Sequence, residues 1–262
     1  MNFIIVCIVA LLVSALTFFS GFGLGTILMP VFALFFPVPV AIAATAVVHL
    51  ANNIFKVVLV GKNADWSVVW RFAVPATMTA MIGAFLLSLF ETLPPITEYN
   101  LSEQVYQITA VKLVIGIIIV LFALLDLIPK FANMAFEKKY LPLGGALSGF
   151  FGGLSGNQGA LRSAFLIKIG LNKDAFIATG VVSAVVVDAA RLLVYGITFY
   201  ASHFSMIGSE IRWLVIAATI SAFIGAILGK QLLKKITLRT VQVIVGSLLS
   251  NYKSNKFNWL QV

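Results

Sequence analysis

Few side chains in this sequence are equipped for chemistry, and they gather in four short stretches. Asp188 and Arg191 are spaced i, i+3, so on a helix they meet on one face. They read either as a structural ion pair or as a proton site at Asp188 that responds to a bound charge. His49 has the side chain best suited to a proton relay near neutrality, the competing reading being a hydrogen-bonded packing residue. Asn52 and Asn53 follow it, with amides that bind a ligand or cap their neighbours. Arg162 comes shortly after Gly156-Asn157-Gln158-Gly159. Its planar guanidinium can hold two oxygens of an oxyanion. Asn157 and Gln158 add amide donors, and a helix starting after the glycines adds positive potential. The alternative is that Arg162 reaches back to a membrane surface beside Lys168. The fourth stretch, Ser20-Gly21-Phe22-Gly23-Leu24-Gly25-Thr26, reads as a backbone N–H cradle formed by Gly21, Gly23, Gly25 and Thr26, or as a close helix contact.

These types and spacings point to anion binding rather than covalent chemistry. There is no His-Glu-x-x-His, no visible nucleophile–base pairing and few carboxylates. Neither glycine run follows a strand or leads into Gly-Lys-Ser/Thr, so dinucleotide and P-loop readings fail. The single cysteine, Cys7, allows no internal disulfide or cysteine metal site. No catalytic residue, metal or cofactor is therefore expected.

The elements that position these residues follow from composition. The chain has 262 residues, of which 61% are hydrophobic and 10% charged, with a mean hydropathy of +1.06. Soluble domains are about 45–50% apolar and about 25% charged, and one globular core cannot hide such an excess. In a bilayer the backbone must satisfy its own polar groups, which makes the long apolar runs helices. They lack the period-2 alternation of an outer-membrane barrel. The net charge of +9 sits in short loops, as membrane topology selection requires, so lipid is the expected partner and nucleic acid is not. The N-terminus lacks a basic n-region, and its cleavage as a signal peptide is not expected.

Spanning helices are predicted over 38–60, 68–90, 108–128, 174–199 and 211–233. The apolar stretches 3–36 and 141–170 are each broken by glycines, which lower helix propensity and let backbone approach a ligand. Lysine and arginine place the 61–67 connection, 129–140 and the 168–173 corner in the cytoplasm, and their absence places 91–107 and 200–210 outside. By this parity 141–170 enters and leaves on one face as a hairpin, and 3–36 does the same from the opposite face.

An offset of 135 aligns Ile42, Asn53, Lys56 and Gly61 with Ile177, Asp188, Arg191 and Gly196. An offset of 142 aligns Ala76–Ala84 with Ala218–Ala226. The predicted fold is thus an all-α polytopic membrane protein of two inverted repeats, each a glycine-broken helical hairpin plus three transmembrane helices. The halves are 1–128 and 141–250, joined by a cytoplasmic linker at 129–140. A polar tail at 251–262 reads as truncated or atypical. Inverted repeats place a transport site at their interface near the midplane. Asn53 and Lys56 match Asp188 and Arg191 with one carboxylate fewer, which leaves positive charge for an anion. Lys56 and Lys112 are also read as able to snorkel from their helix ends.

Gly21-Phe22-Gly23-Leu24-Gly25 with Pro30, then Ala43-Ala44-Thr45-Ala46, resembles the first-half signature of the TauE/SafE sulfite exporter family. Gly149-Phe150-Phe151-Gly152-Gly153-Leu154-Ser155-Gly156, then Ala178-Thr179-Gly180, is similar to its second-half counterpart. The resemblance implies a plasma-membrane permease for sulfur-containing anions, such as sulfite, sulfoacetate or aromatic sulfonates. A secondary transporter, in the exporting sense, is the leading expectation. Its substrate-binding residues would be Gly21, Gly23, Gly25, Thr26, Asn52, Asn53, Gly156, Asn157, Gln158, Arg162 and Arg191, and its proton-coupling residues His49 and Asp188. A passive anion channel is the alternative, and an intramembrane enzyme a more distant one. A homo-oligomer is compatible with the sequence.

Overall fold

The computed structural model describes residues 2–20, 24–36, 38–101, 104–127, 136–156, 158–167, 169–197 and 209–233. Within them the expected spans are helices: α1 (Asn2–Ser20), α2 (Leu24–Ala33), α3 (Val38–Val60), α4 (Trp66–Glu91), α5 (Ala110–Leu127), α6 (Leu141–Ser155), α7 (Gly159–Leu166), α8 (Lys173–Tyr195) and α9 (Ser209–Leu233). Four of them, α3, α4, α8 and α9, are long and apolar enough to cross a membrane. Local chemistry sets several boundaries. Asp65 caps α4 by accepting from the Val68 N–H, and Asn172 caps α8 by accepting from the Ala175 N–H, each satisfying an orphan donor of a first turn. The third transmembrane helix expected in the second half, which follows residue 233, and the 251–262 tail lie outside the described residues.

The second glycine-rich stretch is interrupted at the end of α6. The break after α6 is formed by Gly156, which has φ +81° and returns its N–H to the Gly152 carbonyl, a left-handed helix end that favours glycine. The chain restarts at α7 two residues beyond Gln158's predecessor, with Gln158 at the N-cap. In the first-half stretch α1 is described to Ser20 and α2 from Leu24, and residues 21–23 lie outside the described residues.

Glycine also determines how closely the helices approach. Gly145, Gly149 and Gly153 lie four residues apart along α6 and abut the carbonyl oxygens of Phe72, Ala76 and Ala80 on α4, where any Cβ would overlap backbone. Gly83 of α4 meets Phe150 of α6 in the same way. Residue numbers rise together, so α4 and α6 run parallel. On the other side of the molecule Gly225 and Gly229 of α9 meet the carbonyls of Leu11 and Ala15, and α1 and α9 are parallel too. Such small-residue seams are how helices gain dispersion contacts in lipid, where apolar burial alone drives little association.

Between these pairs α3 packs against α8. Asn53 bonds to Asp188, Gly61 faces Val182, and the Asp65 N–H after α3 donates to Thr179 Oγ1. Numbers rise on one chain as they fall on the other, so α3 and α8 are antiparallel. Lys230 of α9 donates to the Leu59 carbonyl of α3 at 3.1 Å, next to exposed Lys62. Basic residues expected in the cytoplasm thus collect at one end of the helices. The burial pattern is inverted relative to a soluble protein: Val58, Met78 and Ile220 are exposed while Asn52, Asn53 and Asp188 are covered. Lipid is the solvent that permits it.

One element goes beyond the expected helices and lies in the 91–107 connection. Residues Thr97–Leu101 and Gln104–Ile108 form an antiparallel hairpin with Glu98 opposite Gln107, and the Gln107 amide donates to Glu98 Oε1 at 2.6 Å. Two five-residue strands are too short for their alternation to be read against neighbouring apolar runs. Lys112 reaches this hairpin by donating to the Gln107 carbonyl.

The seam predicts an asymmetric response to adding bulk. Gly149→Leu should destabilise the solubilised chain by at least about 3 kcal/mol, because backbone cannot move aside as a side chain does. Gly116→Ala on α5, with nothing near its Cβ, should be neutral or stabilise by up to about 1 kcal/mol. Thermal melting and size-exclusion profiles in detergent report both, and a Gly149→Leu protein that melts with its parent contradicts the seam.

Candidate anion site

His49, Asn53 and Lys56 fall at i, i+4 and i+7 of α3, and Asp188, Arg191 and Tyr195 at i, i+3 and i+7 of α8. Each set therefore occupies one helical face. The antiparallel α3–α8 contact presses the faces together, and every one of these residues is buried.

Asp188 is the hub. Its Oδ1 accepts from Gln158 Nε2 at 2.7 Å and Arg191 Nε at 3.0 Å, with Arg191 Nη2 at 2.9 Å. Its Oδ2 lies 2.5 Å from His49 Nδ1 and accepts from Asn53 Nδ2 at 3.1 Å. A carboxylate at that distance places a proton on His49 Nδ1. Nε2 is then an acceptor when the ring is neutral and a donor when it is charged. Arg191 also extends Nη1 to the Gly152 carbonyl at 3.2 Å, and Tyr195 OH donates to the Gly153 carbonyl. Both acceptors belong to the last turn of α6, where a cation is favoured, and the Gly152 carbonyl accepts from Arg191 in addition to the Gly156 N–H. The α6 break is thereby fastened to α8. Ser148 Oγ holds the Gln158 carbonyl at 2.7 Å.

A small cavity of about 10 Å³ adjoins the hub, lined by Thr17, Leu24, His49, Asn53, Lys56, Arg162 and Val181. That is room for one water-sized molecule. Five helices from both halves of the chain supply its wall. Lys56 Nζ donates to Thr17 Oγ1 at 3.2 Å and lies 5.6 Å from the Phe18 ring centroid, within cation–π range. Among the described residues the buried ionic side chains are Lys56, Arg162, Arg191 and Asp188. With Lys56 protonated and His49 neutral, three cations against one carboxylate leave two net positive charges, an arrangement that low dielectric makes costly without an anion.

A family model described as Sulfite exporter TauE/SafE matches residues 6–250. The chain belongs to this family. No curated protein and no solved structure matches it. This TauE/SafE chain is accordingly a multi-pass membrane protein of a transporter family.

In the TauE/SafE protein the residues singled out from sequence separate into groups. His49, Asn53 and Arg162 line the cavity. Arg162 is 3% and Lys56 3% exposed, so neither snorkels. Asp188, Gln158 and Arg191 form the hub behind the cavity and are not part of its lining. Asn52 is diverted to α1, where its Oδ1 accepts from Ser14 Oγ at 3.1 Å, and its Nδ2 has no hydrogen-bond partner among the described residues. A Cβ on Gly25 would lie 2.9 Å from the Gly156 oxygen, so the first turn of α2 meets the end of α6. Gly21, Gly23 and Asn157 lie outside the described residues, as does the side chain of Thr26. Thr17, Leu24, Val181 and Tyr195 carried no signal in the sequence, because a hydroxyl, a leucine, a valine or an interfacial tyrosine is ordinary in a membrane helix. Lys56 did carry one, its i, i+7 spacing from His49.

The hub predicts strong coupling between Asp188 and Arg191. Asp188→Ala should cost about 3–5 kcal/mol of stability, since it strands a buried guanidinium. Adding Arg191→Met should recover part of that loss, giving a positive interaction energy in a double-mutant cycle. Additive losses in detergent melts would mean that the two side chains act independently.

Proposed function

We propose that this protein is a secondary transporter of small sulfur-containing anions, such as sulfite or organosulfonates, working as an exporter in the plasma membrane by alternating access. The observation that carries this reading is the cavity lined by buried Lys56 and Arg162, with no carboxylate in its wall. Arg162 and Asn53 would bind the anion. Gln158 and Arg191 hold the hub, and Gly25 and Gly156 let the broken helices converge. The His49–Asp188 pair would carry a coupling proton: a charged ring gives Nε2 a proton to donate and adds positive charge beside the anion.

An inverted repeat, 1–128 and 141–250 about the 129–140 linker, supplies the moving parts. Three observations support it. The Asn53–Asp188 bond joins residues 135 apart, the offset that aligns the halves, and equivalent positions of a two-fold pair can touch only at the axis. The α4–α6 and α1–α9 seams are counterparts, since α4 aligns with α9 and α6 with α1. Thr77 donates to the Ala73 carbonyl at 2.7 Å, and Thr219, 142 residues on, donates to Val215 at 2.7 Å. With room for one water, the cavity is too small for an oxyanion and must widen as the halves rock.

Reconstituted vesicles test the reading. Sulfite flux should saturate and respond to an imposed proton gradient, and Arg162→Ala should weaken binding about tenfold or more. Unsaturable flux at channel rates, or none, would exclude a carrier. Single cysteines in 61–67 and 200–210 should label from opposite faces; labelling from one face removes the inversion without touching the anion site.

A further inference from the structure

Resting on the proposed anion site, we infer that the cavity selects doubly charged over singly charged oxyanions, and that Lys56 is the residue that sets this preference. Lys56 and Arg191 occupy equivalent positions at the offset of 135, yet their charges are handled differently. Arg191 is neutralised on its own helix by Asp188, three residues earlier. Three residues before Lys56 stands Asn53, whose amide is spent on the same Asp188. Lys56 is left with a threonine hydroxyl and an aromatic ring, and among the described residues it has no ion pair. Both of those contacts orient an ammonium without cancelling its charge. The ammonium borders the cavity together with Arg162, while the buried carboxylate is occupied by His49, Asn53, Gln158 and Arg191. Among the described residues the remaining wall is Thr17, Leu24, His49, Asn53 and Val181, which bring no negative charge.

Coulomb energy scales with the product of the charges. Deleting one cation therefore weakens a dianion by the square of the factor lost by a monoanion of equal size. A packing role for Lys56 has no such signature, since it lowers both affinities by one factor. The Lys56 side chain thus acts as a charge discriminator on the first-half helix, where the second half has an internally compensated pair.

Titration calorimetry of the purified full chain in detergent at neutral pH tests this with thiosulfate and methanesulfonate, tetrahedral sulfur anions of similar size and different charge. The parent should favour thiosulfate by at least about tenfold. Lys56→Met should lower thiosulfate affinity by about 100-fold and methanesulfonate affinity by about tenfold, and Lys56→Arg should keep the preference. Equal affinities in the parent, or one common factor lost in Lys56→Met, would overturn the inference while leaving an anion site. If Lys56→Met does not fold, the parent ratio and Lys56→Arg decide. Failure of the parent to bind either anion would remove the site itself.

Discussion

A carboxylate buried inside a membrane protein must have every lone pair engaged, and Asp188 imposes that demand on everything around it. Its two oxygens draw donors from α3, α8 and the residue that starts α7. An unsolvated charge costs several kcal/mol even after relaxation, so these elements cannot drift apart without exposing the hub to a worse environment. Position follows from electrostatics here more than from apolar contact, because lipid is as good a partner for leucine as another helix is.

Close approach of backbone is the second condition. Gln158 reaches Asp188 only because α6 stops at Gly156 and a new helix begins beyond it. A continuous helix would carry that side chain away along its axis at about 1.5 Å per residue. The glycine seam of α6 against α4 holds the broken helix from one side, and Arg191 and Tyr195 hold its last carbonyls from the other. Glycine thus has two separate jobs in one segment. At 145, 149 and 153 it removes a side chain from an interface, and at 156 it permits a left-handed backbone.

The long helices were legible in the sequence because a bilayer imposes one length scale on apolar runs. The span read as 38–60 is Val38–Val60, and the span read as 68–90 is Trp66–Glu91. The break at Gly156 was legible from glycine density. The pairing of Asp188 with Arg191 followed from spacing alone. Less accessible was where long side chains end. Lys56 and Arg162 have stems that reach either a membrane surface or an interior, and only the partner helices decide which. Asn52 and Asn53 are adjacent and chemically identical, yet they point to α1 and α8 respectively. A rotation of about 100° per residue separates them, and the sequence does not say which face meets which neighbour. The hairpin at 97–108 escaped because its strands are short and its register depends on cross-strand pairs.

In the proposed repeat, identical groups would stand on both sides of an axis, and like charges meeting there would repel. Substitution at one aligned pair avoids this for the carboxylate. Asn53 opposite Asp188 turns a repulsive carboxylate pair into a hydrogen bond at 3.1 Å. The same change withholds a counter-charge from Lys56, which is why the cavity borders α3 and why the hub sits on α8. On the proposed reading Lys56 therefore presents its charge to a ligand, while its aligned counterpart Arg191 holds its charge as structure. The proposed alternating-access cycle needs such a division, because the element that binds must be free to lose its ligand. Arg191, fixed at once to Asp188 and to the end of α6, cannot do that. Lys56, held by one hydroxyl and the face of a ring, can.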